Sequence, residues 1–167
     1  MTTVHLVTEI SAALRRATAN LRLPVEYHNE AQRTSETTYK QINVFEQFLP
    51  ADLFEQTAYY PCVIVELVEV TDDLQEGSLA TVGISIGVYA KEADGYKDAF
   101  NLMEVVRREM LTNRVVAKSF RLVEAITWRM AQQQPTPFFF VYGEANFQMY
   151  LPQEPFGGYY NNSGVLR

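Results

Sequence analysis

Few residues in this chain have types and spacings that chemistry can use. There are two histidines, His5 and His28, and a single cysteine, Cys62. A metal ion needs several imidazole, thiolate or carboxylate ligands at set spacing, and neither histidine has a second His or a Cys so placed. Surface or capping roles suit both. Cys62 follows Pro61 and precedes Val63-Ile64-Val65, with no histidine beside it to lower its pKa, so it reads as a small buried hydrophobe. Gly83-Ile84-Ser85-Ile86-Gly87 has the Gly-x-Ser-x-Gly form of a nucleophile elbow. An elbow needs a sharp strand-to-helix turn and a histidine base later in the chain. Here β-branched residues flank Ser85 and both histidines precede it, so the pentapeptide reads as mid-strand.

The carboxylates are no closer to a catalytic pattern. Asp72, Asp73 and Glu76 crowd one turn, but no glycine sits inside the spacing a calcium loop requires. They read as a solvated hairpin tip. Glu66 and Glu69 fall on opposite faces of one strand, so they do not form an acid–base pair. Glu124 interrupts an apolar face made of Phe120, Leu122, Ile126, Trp128 and Met130. It is either a rim position or one half of a salt bridge between copies, with Arg107, Arg108 or Arg129 of a neighbour as the other half. No phosphate loop, dinucleotide fingerprint or kinase motif occurs. The expectation is a non-enzymatic protein with no metal and no cofactor.

The elements that carry these residues show in the hydrophobic spacing. Val4, Val7, Ile10, Leu14, Ala17 and Leu21 mark a helix over Thr3–Leu21, capped by Thr2 or Thr3 and stopped by Pro24. Leu23–Tyr27 suits a short edge strand. Asn29–Tyr60 begins polar and ends in an apolar cluster that includes Phe45, Phe48 and Phe54, and it reads as a long loop or insertion. Cys62–Val70 and Leu79–Ala90 form a hairpin, the first strand apolar on both faces. The second strand alternates Val82, Ile84, Ile86 and Val88 with Thr81, Gly83, Ser85 and Gly87. A second helix runs from Asp94 to about Leu111, with Asp94 as N-cap and Asn113 as C-cap. Ser119–Met130 and Phe138–Leu151 are the last two strands.

The order predicts an α+β fold, helix–hairpin–helix–hairpin, with a four-stranded, mainly antiparallel sheet and both helices on one face. A single domain over 1–151 would hold it, with 29–60 as the loop or insertion and 152–167 as a tail. The uncovered sheet face would carry Gly83, Gly87, Tyr89, Phe140, Tyr142 and Tyr150. A half-apolar face of that kind is covered by oligomerisation or by a loop.

The 167 residues carry a formal net charge of −6, with pI near 5.0, and are 13% aromatic. Nucleic-acid binding depends on Lys and Arg neutralising phosphates, so an acidic chain without a basic run is a poor DNA grip. It remains compatible with DNA sliding past. The lone cysteine suits a reducing compartment. The N-terminus lacks a charged segment followed by an apolar one, and no apolar run approaches the roughly 18 residues of a membrane span, so a soluble cytosolic product is expected.

Three segments carry a family resemblance. They are the first helix followed by Leu23-Pro24-Val25-Glu26-Tyr27, the Pro-led strand Tyr60-Pro61-Cys62-Val63-Ile64-Val65, and the helix opening Ala93-Asp94-Gly95-Tyr96-Lys97-Asp98-Ala99-Phe100-Asn101-Leu102. With this element order the chain resembles tail terminator (tail completion) proteins of long-tailed bacteriophages. The polar stretch Asn29–Tyr59 and the Gly- and Tyr-rich tail depart from that pattern. The resemblance implies a virion protein, assembled in the host cytoplasm. It would form a hexameric ring that caps the tail tube, ends its polymerisation and docks to the head–tail connector, while DNA passes without specific binding. Under it, Asp72, Asp73 and Glu76 face the lumen or the tube. Phe45, Phe48, Phe54, Tyr89, Arg107, Arg108, Glu124, Tyr142 and Tyr150 are candidates for contacts between copies. Two other readings stay open: a head-closure or neck connector protein, and a small α+β module that binds a peptide or ligand on its sheet.

Overall fold

A computed structural model describes residues 2–29, 34–49, 57–73, 77–133 and 136–149. Helix α1 (Thr3–Thr18) buries Leu6, Val7, Ile10 and Leu14 along one stripe. Arg15 and Arg16 occupy its last turn, where the helix dipole favours cations. It ends three residues before Leu21, and Leu21 instead leads into β1 (Arg22–Asn29). Strand β1 pairs antiparallel with β2 (Thr34–Gln41) as a separate two-stranded sheet. Strand β3 (Asn43–Glu46), a 3-10 turn (Thr57–Tyr59), β4 (Cys62–Asp73) and β5 (Gly77–Tyr89) follow. Helix α2 (Gly95–Thr112), β6 (Val115–Val116), β7 (Phe120–Met130) and β8 (Phe138–Met149) complete the order.

Six strands form one mixed sheet in the order β3-β4-β5-β8-β7-β6. Strand β3 runs parallel to β4, and the remaining neighbours are antiparallel. This corrects the expected four-stranded helix–hairpin–helix–hairpin fold. The four expected strands are β4, β5, β7 and β8, but β3 and β6 extend the sheet at both ends and β1–β2 adds a second sheet. The missed edge strands are four and two residues long, too short to show a period of two. Strand β2 is mostly polar, with no apolar alternation to mark it, and it pairs with β1 alone. Both β2 and β3 lie inside the segment read as a loop.

One core unites the helices with one face of the large sheet. Ile10 and Leu14 of α1, and Leu102 and Val106 of α2, pack with Val65, Ile84, Ile86, Val141 and Phe147. Each fully buried side chain of this size contributes about 1.5–3 kcal/mol. Gly143 makes room for the Trp128 ring on this face. A Cβ there would sit 2.4 Å from Trp128 Cζ3. Edge strand β3 is tied to α1 by Glu46, whose carboxylate accepts from Thr8 Oγ1 at 3.0 Å and pairs with Arg15 at 3.2 Å. The expected side-chain caps do not form at either helix start: Thr2 and Asp94 make no cap hydrogen bond. Asp94 pairs with Lys97 instead, at 2.6 Å. Asn113 does take the C-cap of α2. Among the described residues no helix is long and apolar enough to cross a membrane.

Candidate interaction surface

Successive side chains on a strand point to opposite faces. Val63, Ile86 and Val141 face the helices, so Cys62, Gly87 and Phe140 face outward. This outer face holds a second apolar cluster of Tyr60, Cys62 and Phe140, with Phe45, Leu49, Tyr89 and Phe138 packed around it. Along β8 the rings of Phe138, Phe140 and Tyr142 stack in a row, each 6.4 Å from the next. Tyr60 leans on Phe138 at 4.9 Å, and Tyr89 meets Phe138 edge-on at 5.3 Å. Gly87 gives Tyr60 its place: a Cβ there would lie 2.7 Å from Tyr60 Cε1.

The row does not fill the face. A cavity of about 220 Å³ opens over Cys62, Ile64 and Gly87, with Phe48, Tyr142 and Glu66 among its walls. Phe48 is 71% exposed and Tyr142 45%. Burial pushes the Cys62 thiol up to about 12, against an opposing backbone hydrogen bond from Gly87. Burial also raises the Tyr60 phenol, with Cys62 and Tyr142 adding to it. Near neutral pH both groups are therefore protonated: Cys62 brings no thiolate to the cavity floor, and Tyr60 beneath it in the cluster is no phenolate. What the cavity offers is apolar and aromatic surface, the composition found at the centre of protein interfaces.

Two polar devices frame the face. Gln47, at the end of β3, has a left-handed φ of 69°. Its side-chain amide donates to the Leu67 carbonyl at 3.2 Å and accepts from the Leu67 N–H at 3.1 Å. One side chain thus prolongs the ladder along β4 past the end of β3, and it positions Phe48 and Leu49 beside the cavity. On the other side, Thr81 Oγ1 donates to Asn146 Oδ1 at 2.9 Å, and Asn146 Nδ2 donates to Glu124 Oε2 at 2.7 Å. Glu124 sits in a bulge, where the step from Val123 to Thr127 on β7 opposes only that from Asn146 to Glu144 on β8. Its φ is 62°. The bulge is why Glu124 breaks an otherwise apolar face: its carboxylate leaves the core side and joins the chain of hydrogen bonds.

The structure brings Phe45, Phe48, Tyr89 and Tyr142 together around the outer-face cluster and its cavity. Arg129 is paired in register with Tyr142. Arg107 and Arg108 stand apart on α2, in the helical layer, and Arg107 pairs with Glu104 at 3.2 Å. Asp72 and Asp73 are exposed at the end of β4, and Asp72 accepts from Ser78 Oγ at 2.5 Å. Phe54, Glu76 and Tyr150 lie outside the described residues. Sequence reasoning did not single out Gln47 or Asn146. Their roles depend on non-local partners, and an isolated Gln or Asn carries no signal for them. Among the described residues no three His, Cys, Asp or Glu side chains group as a metal site would require.

No family model matches this chain, and no curated protein matches it.

Proposed function

We propose that this protein is a structural subunit that works by packing against copies of itself, as a ring that ends a bacteriophage tail tube and docks to the head connector. The observation that carries the self-packing part is the outer sheet face. Its row of Phe138, Phe140 and Tyr142 runs beside an open apolar cavity. Phe140 is buried in that row, and Phe48 and Tyr142 stand exposed beside the cavity; exposed apolar side chains bordering an apolar hollow are the kind of surface that marks an interaction site. The tail-terminator part rests on the resemblance of the first helix, the Pro61-led strand and the opening of α2. The net charge of −6 suits a ring through which DNA passes without sticking. The test is size-exclusion chromatography with light scattering, followed by electron microscopy of the leading fraction. A closed ring with a central hole supports the reading. A chain that is monomeric at every concentration contradicts it.

The cavity favours a second reading. This open hollow of about 220 Å³, lined mainly by apolar residues with Gln47, Glu66 and Ser85 among them, could hold an apolar side chain from a peptide or a small ligand. A monomer that binds a peptide at Phe140 and Tyr142 would select this reading.

A further inference from the structure

Resting on the self-packing reading, we propose that the outer-face cavity of one copy receives the β6 corner of the next, with Val115 entering the cavity and basic residues around it meeting Glu66 and Glu144.

The corner is built to project. Asn113 closes α2, its N–H donating to the Glu109 carbonyl at 3.0 Å and its side chain to the Glu109 carboxylate at 2.8 Å. The chain then turns back through Val116 and Ser119, whose carbonyl and N–H are 3.1 Å apart, with Ala117 and Lys118 both left-handed at φ 49° and 59°. Leu122 N–H donates to the Arg114 carbonyl at 2.8 Å and locks the base of the corner. Val115 is left 59% exposed on a two-residue edge strand. Arg114 precedes it, Lys118 follows in the turn, and Arg121 is its partner in register. Arg114, Lys118 and Arg121 thus stand exposed around this corner, while on its other side Val115 borders a groove that also holds Arg16, Glu9 and Glu109.

The cavity has the converse character. Its floor is apolar, and Glu66 stands in its wall. Glu66 and Glu144 both pair in register with Gly83, one from β4 and one from β8, so two carboxylates flank that glycine on the outer face. Complementary charge of this sort sets which surfaces meet and in what register. The cavity spans the β3 to β8 part of the sheet, and the corner sits at the β6 end. Contacts between different patches of identical copies are heterologous, the arrangement that closes into a ring when the rotation permits.

Two charge-reversed proteins test it: Glu66→Lys with Glu144→Lys, and Arg114→Glu with Lys118→Glu. All four positions are on the surface or half-buried, and matching urea midpoints confirm that both proteins fold. The expected result is that each protein alone assembles at least tenfold more weakly than the original, and that a one-to-one mixture recovers assembly, by sedimentation velocity. Independently, a Phe48→Cys, Val115→Cys protein should cross-link copies on oxidation, while a Val4→Cys control should not. If the original chain assembles and the reversed proteins assemble equally well without cross-linking at Val115, this contact is wrong and self-packing stands. If the original chain never assembles, both fall.

Discussion

Asn146 holds Glu124. Its amide donates to the Glu124 carboxylate at 2.7 Å while its own carbonyl accepts from Thr81 at 2.9 Å. The chain of bonds crosses β5, β8 and β7 and stabilises a non-glycine residue in a left-handed conformation, which costs about 1–2 kcal/mol. Asn146→Asp removes the donor and sets two carboxylates against each other. The expected loss at neutral pH is about 1 kcal/mol, the scale of one hydrogen bond. Repulsion raises the folded-state pKa of the pair above the unfolded value. Protonation therefore relieves the folded state more, and the deficit should shrink as pH falls below about 5. Urea midpoints of both proteins across pH 3.5–7 check this; a deficit independent of pH would contradict it.

Gln47 separates backbone strain from side-chain bonding. Gln47→Ala loses both bonds to Leu67 and keeps the left-handed backbone, so a loss of about 1–3 kcal/mol is expected. Gln47→Gly loses the same bonds but relieves the φ of 69°, and should be less destabilised by about 1 kcal/mol. Equal losses for the two would show that the left-handed conformation costs nothing here.

Gly143 and Trp128 should behave as a coupled pair. Gly143→Ala places a methyl 2.4 Å from the indole, and overpacking of this kind costs about 1–3 kcal/mol. In a Trp128→Leu background the same change should cost much less. A double-mutant cycle by denaturant unfolding measures the coupling, and simple additivity would contradict the contact.

Much of the sheet was legible in the sequence, and the reasons differ by element. The alternation Val82, Ile84, Ile86, Val88 marks β5 because its other face carries small residues. The period of α1 survives because Leu6, Val7, Ile10 and Leu14 all reach the core. Edge strands β3 and β6 were not legible, since their pairing is decided by β4 and β7 rather than by their own composition. The outer-face aromatics of β8 show in the alternation of Phe138, Phe140 and Tyr142 with the core residues. The cavity beside them does not, because Gln47, Phe48 and Leu49 come from a chain segment whose docking no local pattern encodes. Glu124 stands out in the sequence as an exception, and the bulge on β7 explains it.

Stability should decline at alkaline pH through the outer-face cluster. The Cys62 thiol is raised from an ordinary 9.0 to about 12 by burial. Below pH 9.0 it is protonated in both states and its contribution is fully present. Above that the unfolded chain ionises first, so stability is lost as pH rises toward 12. Burial of Tyr60 acts in the same direction. Cys62→Ala should flatten the decline, measured as the urea midpoint from pH 8 to 11. An equally steep decline in that variant would remove Cys62 from the account. In the native protein, thiol reagents should modify Cys62 only as fast as the structure opens.

The most direct measurement of self-packing is the mass of the full chain in solution, by size-exclusion light scattering, with electron microscopy of the same fraction. The expected result is a discrete assembly of identical copies, hexameric under the tail-terminator reading, seen as a ring with a central hole. A single species of one chain's mass at every concentration up to about millimolar, where contacts as weak as about 4 kcal/mol would register, would contradict it.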